Sequence, residues 1–304
     1  MKKTAIVSCI YTNLHGTKFG GRPGRRHHYY HSIRSLLKMN DADFFIYCDP
    51  EEENAIRDHI YDIDNVKVTL IPYDISNFYM NDWFEKYKNY DEAQESVRCL
   101  EIQYNKPYWM KLITESHDQY DNYYWFDAGL SYTGLIPDKY IIPREDGFIE
   151  YFNSTLFNND LLRGITKYKN DKLFAICIQN KDILFYRRCV PTEYYLDEKD
   201  EYDYHTIGGI FGGSKENIAW LFEQFVETST TLALAEKQMY EEESVLNVIW
   251  RRHLNRFEPA FFDIWYHEDN VAAWIADSEE RQKLFDESKS FYNILENMIE
   301  LGKK

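Results

Sequence analysis

Several residue groups in this sequence have the right types and positions to do chemistry. Tyr123-Tyr124-Trp125-Phe126-Asp127-Ala128-Gly129 is an aromatic run that ends in an acid, a small residue and a glycine. Glu241-Glu242-Glu243 opens a helical pattern, and His267 closes a strand-like one. A polar, glycine-rich loop carries Arg22, Arg25 and Arg26, and Lys111 lies just ahead of the aromatic run. Together these are the groups needed for metal-assisted transfer from a nucleotide-activated donor. A carboxylate such as Asp127 would hold a divalent ion against a diphosphate leaving group. Arg and Lys would complete the neutralisation. A second carboxylate near the reacting carbon would act as base or stabilise developing positive charge.

Each group also has a plainer role. An Asp after a strand begins many turns. Three glutamates suit a helix N-terminus electrostatically. A lysine on a helix normally meets solvent. Only their joint placement at strand ends and helix starts points to a site.

The elements that must position them follow from pattern. Residues 4–11, 43–48, 66–71 and 123–127 read as strands, and Phe174–Ile178 is a further candidate. Residues 27–39, 51–60 and 107–118 read as helices, the last with Pro107 in its first turn. This β-α-β-α-β order predicts an α/β fold with a mostly parallel, right-handed sheet. In such sheets ligands bind beyond the carboxyl ends of the strands, where Tyr11, Asp49 and Asp127 fall. Residues 131–172 read as loop. Ile210-Phe211, between two glycine pairs, reads as a short strand, followed by helices at 215–227 and 241–254. Residues 261–267 read as a last strand and 278–301 as an outer helix. We read residues 1–304 as one domain, with a nucleotide-binding half (1–130), an acceptor and catalytic half (131–276) and a C-terminal helix (277–304).

Composition narrows the classes. With 304 residues, 44% hydrophobic, the chain can bury a large core. A net charge of −16 disfavours binding to duplex DNA or an anionic membrane surface. The five cysteines are scattered without a C-x-x-C pair, which predicts reduced thiols, a cytoplasmic setting and no zinc site. No stretch is long enough to cross a bilayer.

The Trp125–Gly129 stretch resembles the HtrL/YibB-like family of glycosyltransferases. Gly209-Ile210-Phe211-Gly212-Gly213-Ser214 and Glu242-Glu243-Ser244-Val245-Leu246-Asn247 are similar to motifs of the retaining blood-group A/B and α-1,3-galactosyltransferase family. The resemblance implies a GT-A fold and transfer from a nucleotide-sugar, a UDP-sugar by that likeness, to a glycan or other hydroxyl acceptor. It puts Glu243, with Glu242 beside it, at the catalytic position. Asp127, with His267, would take the metal, Mn2+ or Mg2+, and Tyr11, Arg22, Arg25, Arg26, Asp49, Lys111 and Gly129 the donor. Gly212 and Gly213 would line the sugar or acceptor pocket. Of the three glutamates, spaced about 100° apart on a helix, the register points Glu243 into the cleft, held ionised by the helix dipole, and leaves the others to solvent. The second Asp of the usual metal motif is absent, which motivates an alternative: a nucleotide-sugar or glycan-binding protein of the same fold without catalysis.

Overall fold

The computed structural model describes residues 4–12, 25–64, 66–87, 97–130, 155–179, 204–262 and 291–304. Its centre is a seven-stranded sheet: β1 (Thr4–Ile10), β2 (Ala42–Cys48), β3 (Val68–Pro72), β4 (Asn122–Phe126), β5 (Leu173–Gln179), β6 (Tyr204–Gly213) and β7 (Phe257–Phe262). The spatial order is β3-β2-β1-β4-β6-β5-β7. The pairs β1–β2, β1–β4, β2–β3 and β5–β7 are parallel. β6 runs against both its neighbours. The fold is therefore mixed α/β with a mostly parallel sheet, as the element order implied.

Helices cover both faces, so the central strands are buried along nearly their whole length. All five residues of β4 are buried. Their side chains alternate between two cores. Tyr124 and Phe126 join one core with helices α1 (Arg25–Leu36), α2 (Glu53–Ile60), α5 (Asn159–Lys169) and α8 (Phe291–Lys303). Tyr123 and Trp125 join the other with α3 (Asn81–Lys86), α4 (Val97–Ser116), α6 (Lys215–Glu236) and α7 (Glu242–Arg252). No described helix is long and apolar enough to cross a membrane.

Several elements differ from the sequence reading. α4 begins at Val97, and Pro107 lies inside it rather than in its first turn. Leu100, Tyr104, Trp109, Met110 and Ile113 are buried on both sides of the proline, and that burial outweighs the missing N–H. Residues 159–169, read as loop, form α5, whose Asn158 side chain caps Leu161 N. β6 is ten residues long, not two, because its glycines pair with β4 instead of ending the strand. The last strand starts at Phe257, earlier than read. Residues 263–267 of that reading and residues 278–290 of the C-terminal helix lie outside the described residues.

α5 and α8 meet backbone to backbone. A Cβ on Gly164 would lie 1.7 Å from Met298 O, and one on Gly302 would lie 1.9 Å from Asp160 O. Alanine adds about 1 kcal/mol of helix propensity over glycine. Overpacking costs about 1–3 kcal/mol, and here the opposing atoms are main-chain and cannot rotate away. The clash should win, so Gly164→Ala should lower the urea midpoint of unfolding. A midpoint equal to or above wild type would show that the helices do not meet there.

Candidate active site

β4 ends at Phe126, and Asp127 continues its pairing by one bond, donating from its N–H to Gly209 O at 2.9 Å. By strand alternation Asp127 follows Trp125 towards the α4/α7 face. Trp125 Nε1 donates to Asp127 Oδ1 at 2.6 Å. The Asp127 side chain is 38% exposed, far more open than those of Lys106 and Glu242, at 8% and 0%.

The centre of that group is Lys106, on α4. Its ammonium lies 2.6 Å from Glu242 Oε1, 3.0 Å from Asp127 Oδ1 and 3.3 Å from Gly208 O. Glu242, in the first turn of α7, is 0% exposed. Glu243 beside it is half-buried, and its Oε1 accepts from Gly208 N at 2.8 Å. Thr206 Oγ1 donates to Glu243 O at 3.1 Å and fixes the start of α7 against β6.

Gly208 can serve both Lys106 and Glu243 because β6 is irregular there. Ala175 of β5 lies opposite Phe211, but its neighbour Ile176 lies opposite Ile207. Residues 208–210 thus have no partner on β5, and Gly208's N–H and C=O turn to side chains instead. The approach also needs glycine: a Cβ at 208 would lie 2.0 Å from Glu242 Oε1.

Charge follows from this packing. Burial pulls Lys106 down, but the charges of Asp127 and Glu242 more than reverse it, and it stays ammonium well above the usual lysine range. Burial raises Glu242, opposed by Lys106. Glu243 is pushed up to about 8, first by burial and then by the charge of Glu242. At neutral pH burial and the charge of Glu242 favour the protonated form of Glu243. This corrects the expectation that the helix dipole holds Glu243 ionised. It also corrects the expectation that the neighbouring glutamates meet solvent, since Glu242 is the most buried of the three.

The other expected residues distribute as follows. Lys111 pairs with Glu115 at 2.6 Å and lies about 140° round α4 from Lys106, so the cation beside Asp127 is Lys106 instead. Tyr11 is a core side chain rather than a platform for a ligand: it is 4% exposed, stacked on Trp109, with its hydroxyl on Tyr73 O at 2.8 Å. Asp49 Oδ1 accepts from Glu51 N at 2.8 Å, as in a turn. Gly212 and Gly213 lie opposite Tyr124 and Tyr123, roughly 10 Å or more along the strand from Asp127, and pack against β4 and Asn217 rather than beside the acids. The glycines next to the acids are Gly208 and Gly209. Gly129 is close-packed on α1, where a Cβ would lie 3.1 Å from Tyr29 Cε1. Arg25 and Arg26 open α1, one turn before Tyr29, on the same sheet edge as Asp127. Arg22 and His267 lie outside the described residues, as do the side chains of Arg25 and Arg26.

The sequence reading missed Lys106 and Glu52. Glu52, 0% exposed, accepts from Thr12 N at 2.9 Å and from the Thr12 hydroxyl, tying the end of β1 to α2. Lys106 had a signal: it lies three, four and seven residues before Trp109, Met110 and Ile113, on their buried stripe.

Of the two expected metal ligands, only Asp127 falls among the described residues. No three His, Cys, Asp or Glu side chains among them come together as a metal site. The two carboxylates that converge, Asp127 and Glu242, have Lys106 between them.

No family model matches this sequence, and no curated protein matches it. Among solved structures, the apo form of mouse xyloside xylosyltransferase 1 resembles it at 9% identity, with 85% of each chain covered and a TM-score of 0.49. The 4-diphosphocytidyl-2C-methyl-D-erythritol synthase of Anaerococcus prevotii resembles it at 12% identity, over 90% of this chain and 94% of that one, with a TM-score of 0.41.

Glu243 makes stability depend on pH. Its carboxyl goes from an ordinary 4.5 when unfolded to about 8 when folded. Between those values the folded state holds a proton that the unfolded state has lost, so this contribution falls as pH rises. Melting temperatures from pH 5 to 9 should fall less steeply for Glu243→Gln than for wild type. Equal slopes would place the proton on another group.

Proposed function

We propose that this chain is a GT-A type glycosyltransferase that moves a sugar from a nucleotide-sugar, a UDP-sugar in the first instance, to a hydroxyl acceptor. The observation that carries the reading is the Lys106–Asp127–Glu242–Glu243 cluster. It lies beyond the carboxyl end of β4, beside the break in strand order between β1 and β4, where ligands of α/β sheets bind. α1 begins at the same edge with Arg25 and Arg26, and with Arg22 these are the groups to neutralise a diphosphate.

In this reading Asp127, the exposed acid, orients the donor by accepting from its hydroxyls. Glu243 faces the reacting carbon. As nucleophile, cation stabiliser or base toward the acceptor it works as the anion, which forms as pH rises through about 8. Glu242, paired and buried, holds Lys106 and keeps its charge next to Glu243.

A panel of nucleotide-sugars, with and without Mn2+, tests the reading by donor hydrolysis and by calorimetry. Wild type should bind and hydrolyse at least one donor, with a rate that climbs toward pH 8. Glu243→Gln should lose about two orders of magnitude in rate, the scale of one catalytic group, with donor affinity kept. Asp127→Asn should lose donor affinity. Binding without hydrolysis by wild type would favour a nucleotide-sugar-binding protein, and binding of no donor would overturn both.

A further inference from the structure

We propose that Lys106 is the built-in cation of this site: its ammonium occupies the place that a divalent metal would take between Asp127 and Glu242, and the cluster binds divalent ions at best weakly while that lysine is present. The proposal rests on the geometry of the cluster and holds whether or not the transferase reading does.

Three oxygens close on the ammonium, from Glu242 at 2.6 Å, Asp127 at 3.0 Å and Gly208 at 3.3 Å. An ammonium has three N–H donors, and each has a partner here. Two carboxylates and a main-chain carbonyl are also the hard oxygen ligands that Mn2+ or Mg2+ prefers, at shorter distances. Lys106 is buried, 6% exposed, and the face of Trp125 lies 5.7 Å away. A side chain so enclosed has no room to swing aside for a second cation. A divalent ion entering the same gap would face a fixed like charge a few ångströms away, in surroundings that screen charge poorly. It would also compete for carboxylates already in charge-assisted hydrogen bonds.

Gly208 supports the same conclusion. Its lack of a Cβ lets Glu242 approach the β6 backbone, and its carbonyl supplies the third oxygen. Removing the ammonium would leave two carboxylates and that carbonyl around one gap, a donor set suited to a hard cation.

Mn2+ binding to the full chain, read by calorimetry and by loss of the free-ion electron paramagnetic resonance signal, tests this without any activity assay. Wild type should bind Mn2+ at least tenfold more weakly than Lys106→Met. Lys106→Met should gain about one site per chain and melt at a higher temperature when Mn2+ is added. If Lys106→Met does not fold, Lys106→Gln carries the same expectation, because its amide still meets Glu242. A tight wild-type Mn2+ site that disappears in Asp127→Asn would overturn the proposal. So would a folded neutral variant at position 106 that gains no site.

Discussion

The ion cluster around Lys106 is the interaction on which the centre of this molecule depends. It joins α4, β4, β6 and α7, from positions 21, 102 and 136 residues away from Lys106 in the chain. Burying such charges is costly, and a paired set is often no more stabilising than apolar packing. Taking one partner away is a different matter, because it leaves a charge buried and uncompensated, at about 3–5 kcal/mol. The cluster therefore adds little net stability but strongly specifies the arrangement of the four elements, since each holds a charge that only the others can balance.

The sheet makes that arrangement possible. β4 is buried on both faces, so its aromatic residues fix its depth and carry Asp127 to the edge. β6 runs antiparallel beside it, and the irregular pairing opposite Ala175 and Ile176 frees one glycine's backbone for side-chain partners. A regular strand there would have spent Gly208's N–H and C=O on β5. The bulge thus turns ladder geometry into a set of hydrogen bonds for Lys106 and Glu243.

The α4 helix shows where local rules mislead. Proline at the first turn of a helix is a sound sign in isolation, and it sets a start at Pro107. The real helix continues for ten residues before it, because Leu100 and Tyr104 bury against the same core as Trp109 and Met110. Starting the helix at Pro107 excludes Lys106 by one residue and leaves Lys111 as the nearest lysine. The error in the element and the error in the site are the same error. A similar cause lies behind Gly212 and Gly213. Their spacing marks a strand of special backbone, but which glycine reaches the acids depends on pairing register, and register is a tertiary quantity.

Sequence alone determined much of this protein. Alternating and continuous apolar runs specified the parallel core strands, the α/β class and the position of Asp127 at a strand end, because side-chain burial repeats with a period that the chain itself displays. It also located the acids that open α7. The tertiary structure decided which of them is buried, which lysine faces them and which way burial pushes their titration. Those are properties of distances between residues far apart in the chain. Glu242 and Glu243 are identical side chains one residue apart. One lies against Lys106 and the other against a backbone N–H, and that difference in neighbours sets how each carboxyl is held.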